Sequence, residues 1–375
     1  MAKIVVLGGG MVGSVIAQDL AKRHNVVVVD KSAHSLERMK NKRNIEVKQT
    51  DVREREMLKD IVEDADVVVT ALPGFMGFEV LKNVIELGKS VADISFYPED
   101  ALSLDGLAKA KGVSVIVDCG VAPGMSNFLL GYHAGRMDVK EFICYVGGLP
   151  LERRFPFEYK APFSPVDVIE EYTRPARIME DGRIVIKPAL SEVEMVDFEG
   201  VGTLEAFNTD GLRSLLYTMK VPNMKEKTLR YPGHVRLIEA LKASGFFDEK
   251  KLEVDGCKVK PIGVTTALLK EAWKLKEEDE EFTIMRVIIK GTENGEEVTY
   301  QYDLLDRTDK ATGFTSMSRT TGFTCAAMVE LMVEGKFKQK GVYPPELIAG
   351  EEEVYKFMLD YLEDRGVRYK LRVSR

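Results

Sequence analysis

The chain is poor in the residues that build metal sites and disulfide frameworks. Its 375 residues include four cysteines, four histidines and one tryptophan. Cys119, Cys144, Cys257 and Cys325 are widely spaced and form no C-x-x-C, and His24, His34, His133 and His234 are equally scattered. That spacing argues against a zinc module and a disulfide scaffold, so no metal is expected, and reduced thiols point to a cytoplasmic protein. No run approaches the ~18 apolar residues of a membrane span, so no membrane association is expected. A strand-like run already begins at Lys3, which leaves no room for a signal peptide ahead of it. Positive charge is not in excess: 53 Lys and Arg face 60 Asp and Glu, a net −7, so nucleic acid is not an expected partner. Internal repeats and low-complexity segments are absent as well.

What is present begins at the first strand. Lys3-Ile4-Val5-Val6-Leu7 runs into Gly8-Gly9-Gly10-Met11-Val12-Gly13, and an apolar-periodic helix follows. In a G-x-G-x-x-G turn the first glycine allows the sharp bend and the second leaves space for a pyrophosphate. The third lets the helix pack close to the strand, and the helix N-terminus offers N–H groups to the anion. The next strand, Val26-Val27-Val28-Val29, ends in Asp30, at the position of an acid that accepts hydrogen bonds from ribose hydroxyls. A carboxylate there repels a 2′-phosphate, so the expected cofactor is NAD, although Lys31 follows directly. Met11 and Val12 at the start of the helix belong to the same cofactor site.

The apolar fraction of 45% over this length suits two domains. Strands are expected at 3–7, 26–30, 45–48, 66–70, 90–93 and 113–118, alternating with helices at 11–23, 33–42, 53–63, 75–88 and 99–111. That alternation indicates an α/β, Rossmann-type doubly wound parallel sheet, whose ligands bind at the carboxyl ends of the strands. Those ends carry Asp30, Asp51, Ala71-Leu72-Pro73, Ser95 and Asp118-Cys119, and all but Asp118 are assigned to the cofactor. From 140 to 310 the pattern becomes α+β, with strands at 141–148, 183–188, 203–207, 257–262, 282–290 and 297–304. Helices are expected there at 165–172, 210–219, 233–243 and 264–276, and Asn294-Gly295 reads as a hairpin turn. The tail from about 318 is helical again. The expected division is 1–120 plus 315–375 for the dinucleotide domain and 121–314 for a substrate-binding and dimerisation domain.

Three polar segments are candidate substrate walls, facing the nicotinamide between the domains: 158–164, 228–234 and 318–322. Ser and Thr ahead of a helix often serve only as caps. Arg230 suits a substrate carboxylate because a guanidinium pairs with it bidentately. Asp118, Tyr159, Lys160 and His234 are the candidates for handling an amine and its protons. Tyr231, Phe163, Ser164 and Thr321 would line the pocket. Cys119 has no base beside it in sequence and is not expected to act as a nucleophile.

Taken together, the blocks Gly8 to Gly13, Ala71-Leu72-Pro73, Asp93-Ile94-Ser95-Phe96-Tyr97, 118–127, Tyr159-Lys160 with Phe163-Ser164, 228–234, Arg319-Thr320-Thr321-Gly322 and 341–346 resemble the saccharopine dehydrogenase-like family, and within it the L-lysine 6-dehydrogenases. The resemblance spans nearly the whole chain. It implies a nicotinamide-dependent enzyme acting at a C–N bond of an amino acid, usually as a homodimer joined through the second domain. Saccharopine enzymes must hold an additional glutamate moiety, whereas the segment between 159 and 175 offers only Lys160 and Arg174. The expected reaction is therefore NAD-dependent oxidative deamination of the side-chain amine of L-lysine. Its semialdehyde product would cyclise to piperideine-6-carboxylate with release of ammonia. The alternatives are a saccharopine or carboxynorspermidine-type dehydrogenase and a non-catalytic NAD-binding regulator, which would need no polar wall opposite the nicotinamide.

Overall fold

Continuous β-branched runs without polar alternation belong in strands buried on both faces. They take that place in the computed structural model, which describes residues 1–161, 165–276 and 278–375, with backbone only at 165–167. The chain divides into two units. One comprises Met1–Asp138 with Met317–Tyr369, the other Val139–Ser316 with Lys370–Arg375.

The first unit is built on a parallel sheet of seven strands among the described residues. From edge to edge these are Gly341–Tyr343, Ser114–Ile116, Ser90–Asp93, Val67–Thr70, Lys3–Leu7, Asn25–Asp30 and Ile45–Gln49. Every neighbouring pair is parallel. Val5, Val27, Val29 and Val68 pack with Leu58 and Ile61 of helix Arg55–Val62 and with Val80, Leu81 and Val84 of helix Gly74–Glu86. The strand order reverses between Lys3–Leu7 and Val67–Thr70, so the ligand crevice of this Rossmann-type sheet opens where Gly8 and Ala71 leave their strands. Gly341–Tyr343 is a strand within the tail, which the sequence pattern suggests is helical. Three residues carry no period, and Val342 is buried beside Val115. Helix Met125–Ala134 also belongs here rather than to the second domain. A Cβ on Gly131 would lie 2.2 Å from the Glu346 carbonyl oxygen, and Asn127 Nδ2 donates to Glu346 Oε2 at 3.2 Å. The glycine-rich turn at 120–124 is thus internal to the unit.

The second unit carries a mixed sheet. Glu194–Phe198, Gly202–Asn208, Asn223–Arg230, Asp138–Pro150, Glu281–Glu293, Glu296–Arg307 and Tyr369–Ser374 follow in order. Asn223–Arg230 runs parallel to Asp138–Pro150 and antiparallel to Gly202–Asn208. Asn294 and Gly295 turn the long hairpin with φ of 53° and 88°, the left-handed pair that an Asn-Gly turn favours. Strand Asn223–Arg230 escaped the sequence reading because buried charges, Glu226 and Lys227, interrupt its apolar pattern; Lys227 Nζ is paired with Glu194 at 2.6 Å. The expected strand at 257–262 shortens to Cys257–Val259, because Pro261 opens helix Pro261–Ala272. The last six residues were assigned to the dinucleotide domain, yet they complete the second unit's sheet, where Arg372 meets Asp303 at 2.8 Å. Among the described residues no helix is long and apolar enough to cross a membrane, and no group of His, Cys, Asp and Glu forms a metal site.

Candidate functional site

The glycine turn of the first unit has the shape of a phosphate cradle. Gly8 adopts φ +108°, which side chains rarely tolerate, and a Cβ there would meet the Ala71 carbonyl oxygen at 2.1 Å. A Cβ on Gly13 would lie 2.0 Å from the Gly8 carbonyl oxygen, so the helix can approach the strand only without one. A Cβ on Gly10 would meet nothing within 4 Å. That open space lies at the N-terminus of helix Met11–Leu20, where Gly10 supplies no side-chain cap, and a pyrophosphate fits there. Asp30 holds the turn. Its Oδ2 accepts from the Gly9 amide and its Oδ1 from the Ser32 amide, both at 2.8 Å. Each oxygen keeps a lone pair for a ribose hydroxyl. Lys31 is exposed beside it. Asp51 is engaged by Arg53, whose Nε lies 3.0 Å from Oδ1, and this bond holds the Asp51 carboxyl down at about 2.

The adjoining strand ends are linked by a residue that sequence reasoning did not assign. Asp93 Oδ1 accepts from Thr70 Oγ1 at 2.5 Å and from the Ser95 amide at 3.1 Å. Ser95 Oγ in turn accepts from the Leu72 amide at 3.2 Å, while the Ala71 amide donates to the Leu7 carbonyl at 2.8 Å. Asp93 thereby fixes the loop of Ala71, Leu72 and Pro73, and Pro73 starts helix Gly74–Glu86. Burial raises the Asp93 carboxyl to about 6, against the lowering effect of its bonds to Thr70, Ser95 and Tyr97.

Asp118 is buried just past the sixth strand, at a left-handed φ of +53°. Cys119 is wholly buried, its Sγ turned to the Ile116 carbonyl at 3.3 Å and its amide bonded to the Asp93 carbonyl at 2.9 Å. Burial and the neighbouring Cys325 push its thiol up. The assigned cofactor contact therefore has no free thiol behind it. Thr321 faces this turn: a Cβ on Gly120 would lie 3.7 Å from Thr321 Cγ2. The segment 318–322 is not a cap, because its helix begins earlier, at Ser316.

The second unit brings Tyr159, Arg230 and His234 together. Arg230 ends strand Asn223–Arg230, where its neighbours on the helical side form an aromatic core of Tyr159, Tyr172 and Trp273. Its Nε donates to Tyr172 Oη at 3.1 Å, its Nη1 to the Leu229 carbonyl at 2.9 Å and its Nη2 to Glu171 Oε2 at 2.7 Å. The guanidinium lies 4.2 Å from the Tyr159 ring centroid. His234, the first residue of helix His234–Ala243, places Nε2 3.0 Å from Tyr172 Oη and Nδ1 3.0 Å from the Phe157 carbonyl. Because Arg230 donates to the tyrosine oxygen, the hydroxyl proton goes to Nε2, and the Nδ1–H is left for the carbonyl; this tautomer is inferred from the bonding pattern. Burial, with Arg230 adding to it, lowers His234 to about 3, so the ring is neutral. A neutral histidine with both nitrogens engaged positions Tyr172 and Phe157 and is not placed to act as a base. Tyr159 Oη and Trp273 Nε1 are buried without a hydrogen-bond partner among the described residues.

The remaining candidates lie elsewhere. Tyr231 joins a separate core with Tyr145 and Phe282, and its hydroxyl donates to the Pro150 carbonyl at 2.8 Å, so it does not share Arg230's surroundings. Lys160 Nζ donates to the Ala272 carbonyl at 3.1 Å. Phe163 and Ser164 lie outside the described residues. Glu171, Tyr172 and Trp273 were missed because in sequence they read as ordinary helix positions.

Comparison with known proteins places these features. Residues 4–116 match the family model described as the saccharopine dehydrogenase NADP binding domain, and residues 120–367 the one described as the saccharopine dehydrogenase C-terminal domain. Carboxyaminopropylagmatine dehydrogenase of Synechocystis sp. is 23% identical over 381 residues, covering 92% of each chain. The α-aminoadipic semialdehyde synthase of Arabidopsis thaliana is 27% identical over 227 residues, 56% of this chain and 21% of that protein. The chain spans about a fifth of that relative and 29% of its mouse counterpart. The apo saccharopine dehydrogenase (L-Glu forming) from Saccharomyces cerevisiae superposes with a TM-score of 0.82 at 18% identity, covering all of both chains, and so shares the fold.

Proposed function

The chain belongs to the saccharopine dehydrogenase family, and on that premise we propose that it oxidises the side-chain amine of L-lysine with NAD. It is an oxidoreductase with a pyridine-nucleotide-binding domain. The lysine reading is supported above all by the cations around the second-unit cluster. Between 159 and 175 the only ones in the sequence are Lys160 and Arg174. Lys160 is bonded to the Ala272 carbonyl and Arg174 is paired with Glu170 on its own helix. Both are turned to partners outside the aromatic core, whereas Arg230 is buried within it and is the candidate for a single α-carboxylate.

The choice of NAD rests on Asp30. The family model's description names NADP, but a 2′-phosphate would bring its charge against a carboxylate already fixed by two amides.

In the proposed reaction the substrate ammonium first loses a proton. The nitrogen lone pair then forms the C=N bond as the adjacent C–H leaves with its electrons. The bound nicotinamide supplies the acceptor for that hydride. Water adds to the imine, ammonia leaves, and the semialdehyde cyclises through its α-amine. Arg230 orients the carboxylate and Tyr159 bounds the chain.

A second reading is favoured by one observation. The relative matching 92% of both chains is named for a carboxyaminopropylagmatine, so a dehydrogenase acting on a secondary amine is the competing assignment. Incubation with L-lysine and either NAD or NADP, following NADH or NADPH absorbance and ammonia, tests the proposal. NADH and ammonia in equal amounts, with far less turnover on NADP, are expected. Reduction of cofactor only with saccharopine or another secondary amine, without ammonia, would replace the lysine assignment with the second reading.

A further inference from the structure

Arg230 is buried beside a carboxylate of its own chain, an arrangement a simple carboxylate anchor does not need. We propose that Arg230 and Glu171 together form a receptor for a zwitterionic α-amino-acid head group, Arg230 taking the carboxylate and Glu171 the ammonium. The inference rests on the reading above only in placing the substrate's carboxylate at Arg230; it names Glu171 as the residue that selects the substrate class.

Four observations lead there. First, of the five N–H donors of a guanidinium, three are engaged, by Tyr172, the Leu229 carbonyl and Glu171. One N–H on each terminal nitrogen is left, the number a carboxylate bound through both oxygens needs. Second, the two partners are unequally buried: the Arg230 side chain is 3% exposed and that of Glu171 25%, so the glutamate is the member of the pair nearer solvent. Third, the cluster contains buried polar atoms without partners among the described residues. These are Tyr159 Oη, on the ring that Arg230 covers, and Trp273 Nε1, with the two rings 5.3 Å apart. Buried polar groups are rarely left unpaired, so a polar ligand or a water would satisfy both. Fourth, an ion pair inside an aromatic core of Phe157, Tyr172 and Trp273 is not needed for stability, since apolar residues there would avoid the desolvation cost.

Charge balance then sets the selectivity. A zwitterion adds a carboxylate and an ammonium together and leaves no charge uncompensated. A ligand with the carboxylate alone sets a second anion beside Glu171, and one with the amine alone sets a second cation beside Arg230. Each is rejected by the group it cannot satisfy.

The test is calorimetric binding to the full protein saturated with NADH, which cannot oxidise the ligands. Three probes share a six-carbon chain: L-norleucine with an intact head group, hexanoate with the carboxylate only, and hexylamine with the amine only. Norleucine is expected to bind at least about tenfold more tightly than either of the others, the worth of one charged hydrogen bond. Glu171→Gln keeps a carbonyl oxygen for Arg230 but removes the charge. It should weaken norleucine by on the order of tenfold and leave hexanoate unchanged or tighter, so that the preference collapses, with the melting temperature and NADH affinity retained. Glu171→Asp should restore part of the preference. Equal binding of norleucine and hexanoate by the unmodified protein, a preference that survives Glu171→Gln, or no binding of any probe would each overturn the receptor. If lysine is not oxidised but the norleucine preference holds and responds to Glu171, the receptor stands and the lysine reading falls.

Discussion

Asp93 ends a buried strand with its carboxyl wholly out of water, and its Oδ1 accepts from Thr70 and Ser95. The titratable groups facing it are Tyr97 and Cys119. Its folded value of about 6 lies above the ordinary 3.8. The native state therefore holds a proton between roughly pH 4 and 6 that the unfolded chain has released, and stability falls as pH rises through that window. Above it the buried charge costs on the order of 3 kcal/mol. His133 and His234, lowered to about 4 and about 3 by burial, act in the opposite sense, because the unfolded chain takes up protons below about pH 6.5 that the native state refuses. Asp93→Asn keeps the oxygen that Thr70 and Ser95 use and removes the charge. Thermal unfolding should show the variant more stable than the unmodified protein at pH 8, with the difference shrinking as pH falls and vanishing near pH 3, below both values of the carboxyl. A loss at both pH values would mean that the carboxylate itself is required. Little of this was visible in sequence, where Asp93 is one acid at a strand end among several. Asp30 was visible as a candidate because its position follows from its distance to a glycine motif. Arg230 was visible by chemistry, but its tie to Glu171 is a packing fact that no spacing encodes.

At the level of elements, the strand, turn and helix at the N-terminus separate two uses of glycine. The missing side chain at Gly13 is required by the protein itself, with the Gly8 carbonyl 2.0 Å from a Cβ, whereas the space at Gly10 is required by nothing in the chain. Gly13→Val should lower the melting temperature without ligand, since filling a packed contact costs about 1 to 3 kcal/mol and backbone can yield little. Gly10→Val should melt within about 2 °C of the unmodified protein, yet lose the rise in melting temperature that saturating NAD produces by mass action. A retained NAD response in Gly10→Val would place the pyrophosphate elsewhere. These elements were legible because parallel strands buried on both faces spell continuous β-branched runs. Gly341–Tyr343 was too short to show a pattern. Asn223–Arg230 hid behind Glu226 and Lys227, charges buried where the sequence suggests a solvated face, Lys227 paired with Glu194.

For the molecule as a whole, the path of the chain matters more than any one element. The chain leaves the first unit near Asp138, returns at Met317, and gives its last six residues to the second unit. The sequence announced the return, because a long apolar helix follows a polar loop. It did not announce the final departure, since Leu371 and Val373 are exposed and strand Tyr369–Ser374 buries little that a periodic pattern would reveal. Its pairing is carried by position at the sheet edge beside Glu296–Arg307 and by Arg372, which reaches Asp303 alongside Arg286, itself 2.6 Å from the same carboxylate. An edge strand of this kind covers the backbone groups of the strand inside it. Deletion of residues 370–375 should therefore expose Glu296–Arg307 as the new edge. Hydrogen exchange of its amides should quicken, while the amides of Lys3–Leu7 and Asn25–Asp30 keep their protection and NAD binds as before. Asp303 keeps Arg286 and loses only Arg372, so the second unit should loosen locally and still fold. If exchange instead quickened throughout the dinucleotide sheet, or NAD affinity fell, the final strand would be a support of the first unit and its assignment to the second would be wrong.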